Sequence, residues 1–487
     1  MPESKPNLTL VIDQGSHASR LALFTETGEI NYLKSCSIST SNPEELFYEQ
    51  DANEILKSLE TLLNDIPNEL IQTIKNAGLC TQRSSIVAWN KTTGKPLSPV
   101  ISWRDTRSQP LINQLSDSAP IIRQTTGLPL SAHYSAGKIR WLLDNNSTVK
   151  RANKKGELCI SPLASYLIFH LLKNKSCVID HSNAQRCQLF DIHKLDWSDN
   201  LLQLFQIEKD ILPNCTPVIH HYGVIKNSDI QLTAVCGDQN GLLYAYPSLA
   251  KNSALINIGT GAFILSNTKE RQSDNPRLLH TLTSSQDDTA AFVTEGTVNG
   301  AGAALSWAQN KEPCDELYTK LPIWLKQIKS PPVFINSVVR LGSPWWCNAG
   351  KPEFLPHKTP ANTPYTQGER YTAIIESIVF LIFKNILQLD APPDTLFVSG
   401  GLSQLDALCQ KLADLSNAKV LRFTESEATA RGCARLANQA LEKNNLKWKA
   451  LEVSQEFISL NKTGQQTTLS DRYQQFVGEL NKRCNND

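Results

Sequence analysis

Twice in this chain an apolar strand pattern runs into a short glycine-bearing turn and straight out into a second apolar strand. The first occurrence is "LVIDQGSHASRLALF" over 10–24 and the second is "SALINIGTGAFILSNT" over 253–268. Alternating apolar residues about a Gly-containing bend predict a β-hairpin. A nucleotide-binding P-loop would start a helix after its turn and use the helix N-terminus to hold phosphate. Here a strand follows, so any phosphate at these turns meets turn amides, which glycine leaves open to close approach. Each hairpin heads a stretch of mixed strands and helices. The repeat therefore predicts two α/β domains of related topology, joined near 246–251, with a cleft between them. A chain of 487 residues is too long for one ordinary core, which agrees with that division.

Hydrophobic content of 40%, charged content of 20% and a net charge of +1 describe a globular chain and give no support for a polyanionic partner such as nucleic acid. Twelve cysteines stand singly, without C-x-x-C or a zinc-like His pair, and are expected to be free thiols in a reducing compartment. The start "MPESKPNLTL" has no signal-like apolar run and no stretch is long enough to span a membrane, so a cytoplasmic location is expected.

Along the chain, strands are expected over 8–13, 20–24 and 30–33, a helix over 45–70, and three strands within 77–105. Most of 110–205 has a helical pattern. In the second half, "ERYTAIIESIVFLIFKNIL" reads as a strong helix and "DTLFVSGGLSQLDALCQKLADL" as strand, Gly-Gly turn, helix. Gly432 lies inside the helix "ATARGCARLA", where it would let two helices approach closely. The Pro-rich run 351–364 is a long loop, and the chain closes on an amphipathic helix.

An Asp-Gln-Gly turn alone is ordinary hairpin chemistry. Two such turns in matching positions point instead to a triphosphate gripped across a cleft, with Asp13 placed to hold Mg²⁺ through hard carboxylate oxygens. Just before the second hairpin, "AVCGDQNGLLYA" puts Asp238 at the end of an apolar run. There it would either cap the following helix or accept a proton from an attacking hydroxyl, as phosphoryl transfer to an alcohol requires.

Seven segments together resemble the FGGY-type carbohydrate kinases, and most of all their glycerol kinase-like members. Among them are "IDQGSHASRLALF", "QRSSIVAWNKTTGKPLSPVISWRDTRS", "CGDQNGLLYA", "NIGTGAFIL" and "SGGLSQLD…EATARGCA", in the family's order from residue 8 to about 440. The resemblance implies a two-domain actin/hexokinase-like (ribonuclease H-like) fold with an interdomain cleft. It divides the chain into a substrate-binding domain 1–247, a nucleotide-binding domain 248–450 and a helical extension 451–487. It implies transfer of the γ-phosphate of ATP, with Mg²⁺, to a hydroxyl of a small polyol or sugar. Asp238 would be the general base and Asp13 the metal site. Gly15, Ser16, Arg20, Gly259, Thr260, Gly261, Gly302, Gly400 and Gly401 would line ATP. Arg83, Ser84, Trp103, His133, Asp238, Gln239 and Phe263 would line the acceptor pocket. A homodimer is a further expectation, because relatives often pair.

The departures concern the acceptor. Glycerol kinases carry Glu where this chain has Ser84 and Tyr where it has His133. Losing two hydrogen-bonding groups from a polyol site alters which hydroxyls it reads, so a larger or differently shaped acceptor than glycerol is expected. His17 replaces a Thr in the first turn, and Leu405 stands where an Asn often meets adenine. The alternatives are glycerol kinase proper, or a catalytically weak sugar-sensing pseudokinase. A chaperone-like ATPase ranks behind them, since the final forty or so residues are too few for a peptide-binding domain.

Overall fold

The computed structural model describes residues 7–246, 252–268, 275–356, 364–424, 427–441, 448–460 and 468–484. Most of the junction expected near 246–251, namely 247–251, and part of the Pro-rich run, 357–363, lie outside the described residues.

In the first half, β1 (Leu8–Gln14), β2 (Ala18–Phe24), β3 (Ile30–Ser37), β4 (Ile74–Thr81), β5 (Ile219–Val224) and β6 (Gln231–Gly237) form one sheet. Its order is β5-β6-β4-β1-β2-β3. The second half builds its sheet from β7 (Ser253–Ile258), β8 (Ala262–Asn267), β9 (Leu279–Gln286), β10 (Thr289–Val298), β11 (Thr395–Ser399), β12 (Lys419–Phe423) and β13 (Val453–Phe457). That order is β9-β10-β8-β7-β11-β12-β13. Six strands of the second sheet match the first sheet in order, and β9 is an added edge strand. The hairpin β1–β2 is antiparallel and β1 runs parallel to β4, just as β7–β8 is antiparallel and β7 runs parallel to β11. In each sheet a further parallel strand and an antiparallel edge strand follow. The repeat seen in the sequence is thus a repeat of topology.

The hairpin strands lie mid-sheet, and all seven residues of β1 are buried, as expected of a strand covered on both faces. β3 sits at an edge and shows water a largely polar, exposed pattern. The helix expected over 45–70 is Ala52–Asn64, capped by Asp51, which accepts from the Asn53 amide, with a short turn at Asn68–Ile71. Within the stretch expected to be helical, Leu158–Pro162 is instead a strand, fully buried beside Ile86–Asn90. A short apolar run of this kind has no periodicity to separate strand from helix. The strong helix of the second half is Gln367–Ile386, opened by a Thr366–Glu369 capping box.

Two corrections concern the end of the chain. The segment expected to be a helical extension contains β13, an edge of the second sheet, and among its described residues only Thr468–Cys484 is helical. Not every cysteine is free, because Cys347 is joined to Cys484 and ties that helix to the loop 342–350. Ten others are free thiols.

The halves meet through α1 (Asp238–Ala245), which continues from β6, and α2 (Ala428–Gln439), which follows β12. A Cβ at Gly432 would stand 1.8 Å from the Gly241 carbonyl, so the helices cross backbone on backbone and only glycine fits. That is the close approach expected of Gly432. α2 also docks on the first sheet, where the Thr233 hydroxyl donates to the Ala437 carbonyl at 2.8 Å and Asn438 Nδ2 to Thr9 Oγ1 at 2.8 Å. Its Ala430, Cys433, Ala434, Leu436 and Ala437 belong to the first domain's apolar core. This docking sets where the two hairpins stand relative to each other. Among the described residues no helix is long and apolar enough to cross a membrane.

Candidate active site

Both hairpin turns open onto one cavity of about 180 Å³. Ser16 and His17 come from the first turn, Gly259, Thr260 and Gly261 from the second, and Asp238 lies between them on the first residue of α1. Arg83, Trp103, His133, Gln239 and Phe263 complete the expected acceptor residues on its wall. An adjoining cavity of about 350 Å³ holds Asp13, Arg20, Gly400 and Gly401, with Gln404 and Glu427. Asn257 borders both and bridges the domains, donating to Gln239 Oε1 at 3.0 Å.

Three expected site residues line neither cavity. Ser84 is fully buried at φ +63°, and its hydroxyl has no hydrogen-bond partner. Gly15 closes the first turn, its amide donating to the Ala18 carbonyl. Gly302 starts the helix Gly302–Lys311, and its amide donates to the Gly259 carbonyl at 3.0 Å. That helix N-terminus is therefore occupied by the second turn rather than offered to a ligand. Leu405 is likewise buried in the second core, and its neighbour Gln404 faces the cavity.

The chemistry of Asp238 is set by its surroundings. Burial raises its pKa, while Arg83, whose Nε lies 3.6 Å from Asp238 Oδ1, and the Gln239 amide, which donates to Oδ1 at 2.7 Å, oppose the rise. The rest of the Arg83 guanidinium is not free for an acceptor. Its Nη1 and Nη2 donate to Glu295 at 3.2 and 3.0 Å, and Glu295, fully buried on β10, also accepts from Arg186 at 2.7 Å and Thr281 at 2.8 Å. Burial works against this carboxylate, but Arg186 and Arg83 hold it ionised, with a pKa of about 2. An ion triad from both domains thus fixes the arginine beside Asp238.

A buried lysine lies behind the cavity. Lys138 is buried, and its ammonium donates to the carbonyls of Ser84 (3.2 Å), Ser102 (2.9 Å) and His133 (2.7 Å). Those carbonyls belong to the segments carrying Arg83, Trp103 and His133, so one side chain draws three site segments together. Burial pulls its pKa down to about 7. Burial, with Lys138, Arg186 and Arg83 nearby, keeps the His133 imidazole neutral. Trp103 edges onto the His133 ring and donates from Nε1 to Ser16 Oγ at 2.9 Å, which ties the acceptor wall to the first turn.

Glu295, Arg186 and Lys138 were not among the residues expected from the sequence. A usable signal exists for one of them. Glu295 interrupts the apolar run "AFVTEGTV", and a carboxylate inside a central strand needs cationic partners. Nothing local singles out Arg186 or Lys138.

The architecture defines a class. Similar solved structures are a Plasmodium falciparum glycerol kinase with ADP (TM-score 0.83, 23% identity, 99% of this chain and 98% of that one) and a Lactobacillus acidophilus xylulose kinase (TM-score 0.82, 18% identity, 98% and 97%). The fold is the two-domain actin/hexokinase-like fold. Residues 8–237 match the N-terminal domain of the FGGY family of carbohydrate kinases and residues 254–441 its C-terminal domain. Natranaerobius thermophilus glycerol kinase is 30% identical over 458 residues, 89% of this chain and 90% of that protein. Clostridium tetani glycerol kinase 1 is 29% identical over 493 residues, 96% of each. The chain belongs to the FGGY family of carbohydrate kinases. It is an ATP-dependent phosphotransferase acting on a hydroxyl group of a small polyol or sugar.

Proposed function

We propose that Asp238 is the general base of this kinase and that the two adjoining cavities hold acceptor and nucleotide. The supporting observation is that both hairpin turns and Asp238 border one space. An acceptor hydroxyl near Asp238 Oδ2 would give up its proton as its oxygen attacks the γ-phosphorus, and ADP would leave toward the larger cavity. The proton leaves that oxygen for Asp238 as the phosphoryl group arrives on it and the bond to the ADP oxygen breaks, as phosphoryl transfer to an alcohol requires. Trp103 and Phe263 wall the cavity with carbon surface, which excludes water and packs a polyol backbone. The amides of Gly259–Gly261 and the side chains of Ser16 and Arg20 are the groups that would hold the phosphate chain.

Asp13 fits a divalent cation. Burial raises its pKa to about 6, and its nearest counter-charge is Arg20, 3.6 Å away and 42% exposed. A desolvated carboxylate with so loose a partner is completed by a hard cation. Among the described residues no cluster of three or more His, Cys, Asp or Glu is placed to hold a metal. Asp13 would therefore be one protein ligand among phosphate and water oxygens, an arrangement that suits Mg²⁺. The ion would neutralise charge on the phosphate oxygens.

The test is Asp238→Asn, assayed for ADP formation with ATP, Mg²⁺ and a panel of polyols and sugars. A general base contributes about 10²–10⁴-fold, so kcat falls by about that factor while the fold, checked by thermal unfolding, persists. Undiminished turnover in the variant overturns the assignment.

A further inference from the structure

Beside the acceptor cavity lies a chamber of about 70 Å³ that shares Arg83, Trp103, His133, Gly261 and Phe263 with it. Asp238, Ser16 and Thr260 border only the first space, so the chamber extends away from the base and the first turn, while Gly261 of the second turn borders both spaces. It runs between the domains toward Arg340 and Trp346.

The charge along this wall does not balance. Glu295 is the one carboxylate among the residues lining the chamber, and both of its oxygens are already taken. Three arginines line it: Arg83, Arg186 and Arg340. Granting Arg83 to Asp238 and Arg186 to Glu295 leaves Arg340 over. Arg340 donates only to the Trp346 carbonyl, at 3.1 Å, and has no carboxylate partner among the described residues. Arg277, whose carbonyl accepts from Trp346 Nε1, has none either. Deeper in, Arg186 is 2% exposed and its Nε–H has no hydrogen-bond acceptor. A buried guanidinium N–H without a partner costs free energy that a bound acceptor group would restore, and an anionic one restores most.

We propose that the acceptor is a polyhydroxy acid whose carboxylate enters this chamber toward Arg186 and Arg340 while a hydroxyl at its other end meets Asp238. The inference rests on the kinase reading and adds the acceptor's class to it. The carboxylate takes no part in the chemistry. The hydroxyl oxygen bonds to the γ-phosphorus, the bond to the ADP oxygen breaks, and the hydroxyl proton passes to Asp238. Because Asp238, Ser16 and Thr260 do not border the chamber, a carboxylate held at Arg186 and Arg340 stands apart from the base and the first phosphate turn. His133, which lines both spaces, is neutral and adds no charge of its own to the chamber.

The experiment compares acids with neutral alditols of equal length, D-gluconate with D-glucitol and D-xylonate with xylitol, using the full chain with ATP and Mg²⁺. The acid of each pair is expected to show a kcat/KM at least ten-fold above its alditol, with a KM that rises as salt is added. Arg340→Ala, a change at an exposed side chain, is expected to shrink the acid-to-alditol ratio about ten-fold through the KM of the acid. Equal kcat/KM within each pair, or a ratio unchanged in Arg340→Ala, overturns the inference while leaving the kinase reading intact. Failure of every acceptor to release ADP counts against the kinase reading. The chamber is then judged by thermal shift without ATP, where stabilisation by D-gluconate over D-glucitol supports it and equal shifts overturn it.

Discussion

The two cavities share Asn257, yet they are built by different means. The acceptor side is set by charged side chains locked from behind, through the Arg83–Glu295–Arg186 triad and the three carbonyls on Lys138. The side we assign to ATP is set by backbone. Gly400 sits at φ +85°, where a Cβ would stand 2.6 Å from the Ile258 carbonyl, and Gly302 hands its amide to the second turn. Its charged pair, Asp13 and Arg20, is loose and partly open to water. The contrast follows from what each side must recognise. Polyols and sugars differ by one hydroxyl or one configuration, and only fixed donors and acceptors separate them. A phosphate chain repeats one group, and turn amides serve it without further selection.

The largest effect is expected where the locked side is broken outright. Glu295→Gln leaves Arg83 and Arg186 buried without their shared counter-charge, a loss of about 3–5 kcal/mol for a broken buried pair, read as a fall in unfolding temperature. The pH behaviour carries a sign of its own. The native carboxyl titrates near 2, below its ordinary 4.5, so its stabilisation is present above pH 4.5 and is lost as pH falls toward 2. The variant lacks that dependence. Glu295 also raises the pKa of Asp238, so its neutralisation moves the acid limb of kcat/KM to lower pH. A limb that stays put or moves upward means that Glu295 does not act on the base.

Lys138→Met sharpens the comparison next. The change keeps the side chain's bulk and removes all three N–H donors, leaving buried carbonyls at Ser84, Ser102 and His133 without this partner at about 1–3 kcal/mol each. The acceptor's kcat/KM is expected to fall about ten-fold for each ~1.4 kcal/mol of that cost borne by the acceptor wall, with the KM for ATP unchanged. Equal damage to both substrates would show that Lys138 supports the fold as a whole and not one wall.

What could be read from the sequence divides along the same line. The glycine turns and the acid at the end of β6 were legible because their signals are local: period-two strands, a bend, a carboxylate where a strand stops. The close packing of Gly432 was legible for the same reason, a glycine inside a helical pattern. The acceptor side depends on residues 83, 138, 186 and 295, which meet only after the sheets have formed and α2 has docked, and no window of sequence contains two of them. Position-by-position resemblance placed Ser84 and Gly302 at the site, whereas the folded chain buries one and uses the other as a helix start. The strand at 453–457, "VSQEF", is short and mostly polar, and its identity comes from pairing with β12 rather than from its own pattern.

The smallest effects belong to the backbone-built side, and two glycines there separate strain from mere crowding. At Gly400 an alanine needs a left-handed conformation and meets the Ile258 carbonyl and Asn257 Oδ1 at 2.6 Å each. Strain of that kind costs about 1–3 kcal/mol, and because Gly400 lines the larger cavity the cost should appear as a KM for ATP raised about ten-fold, with acceptor KM little changed. At Gly15 the added Cβ meets only the Ala18 carbonyl, at 3.4 Å, an ordinary contact. Gly15→Ala is therefore expected to stay within about three-fold of the parent in both KM values, given the few tenths of a kcal/mol such a contact involves. A large ATP defect in Gly15→Ala with a mild one in Gly400→Ala would reverse the assignment, making the first turn the tight phosphate contact and the Gly-Gly turn a spectator.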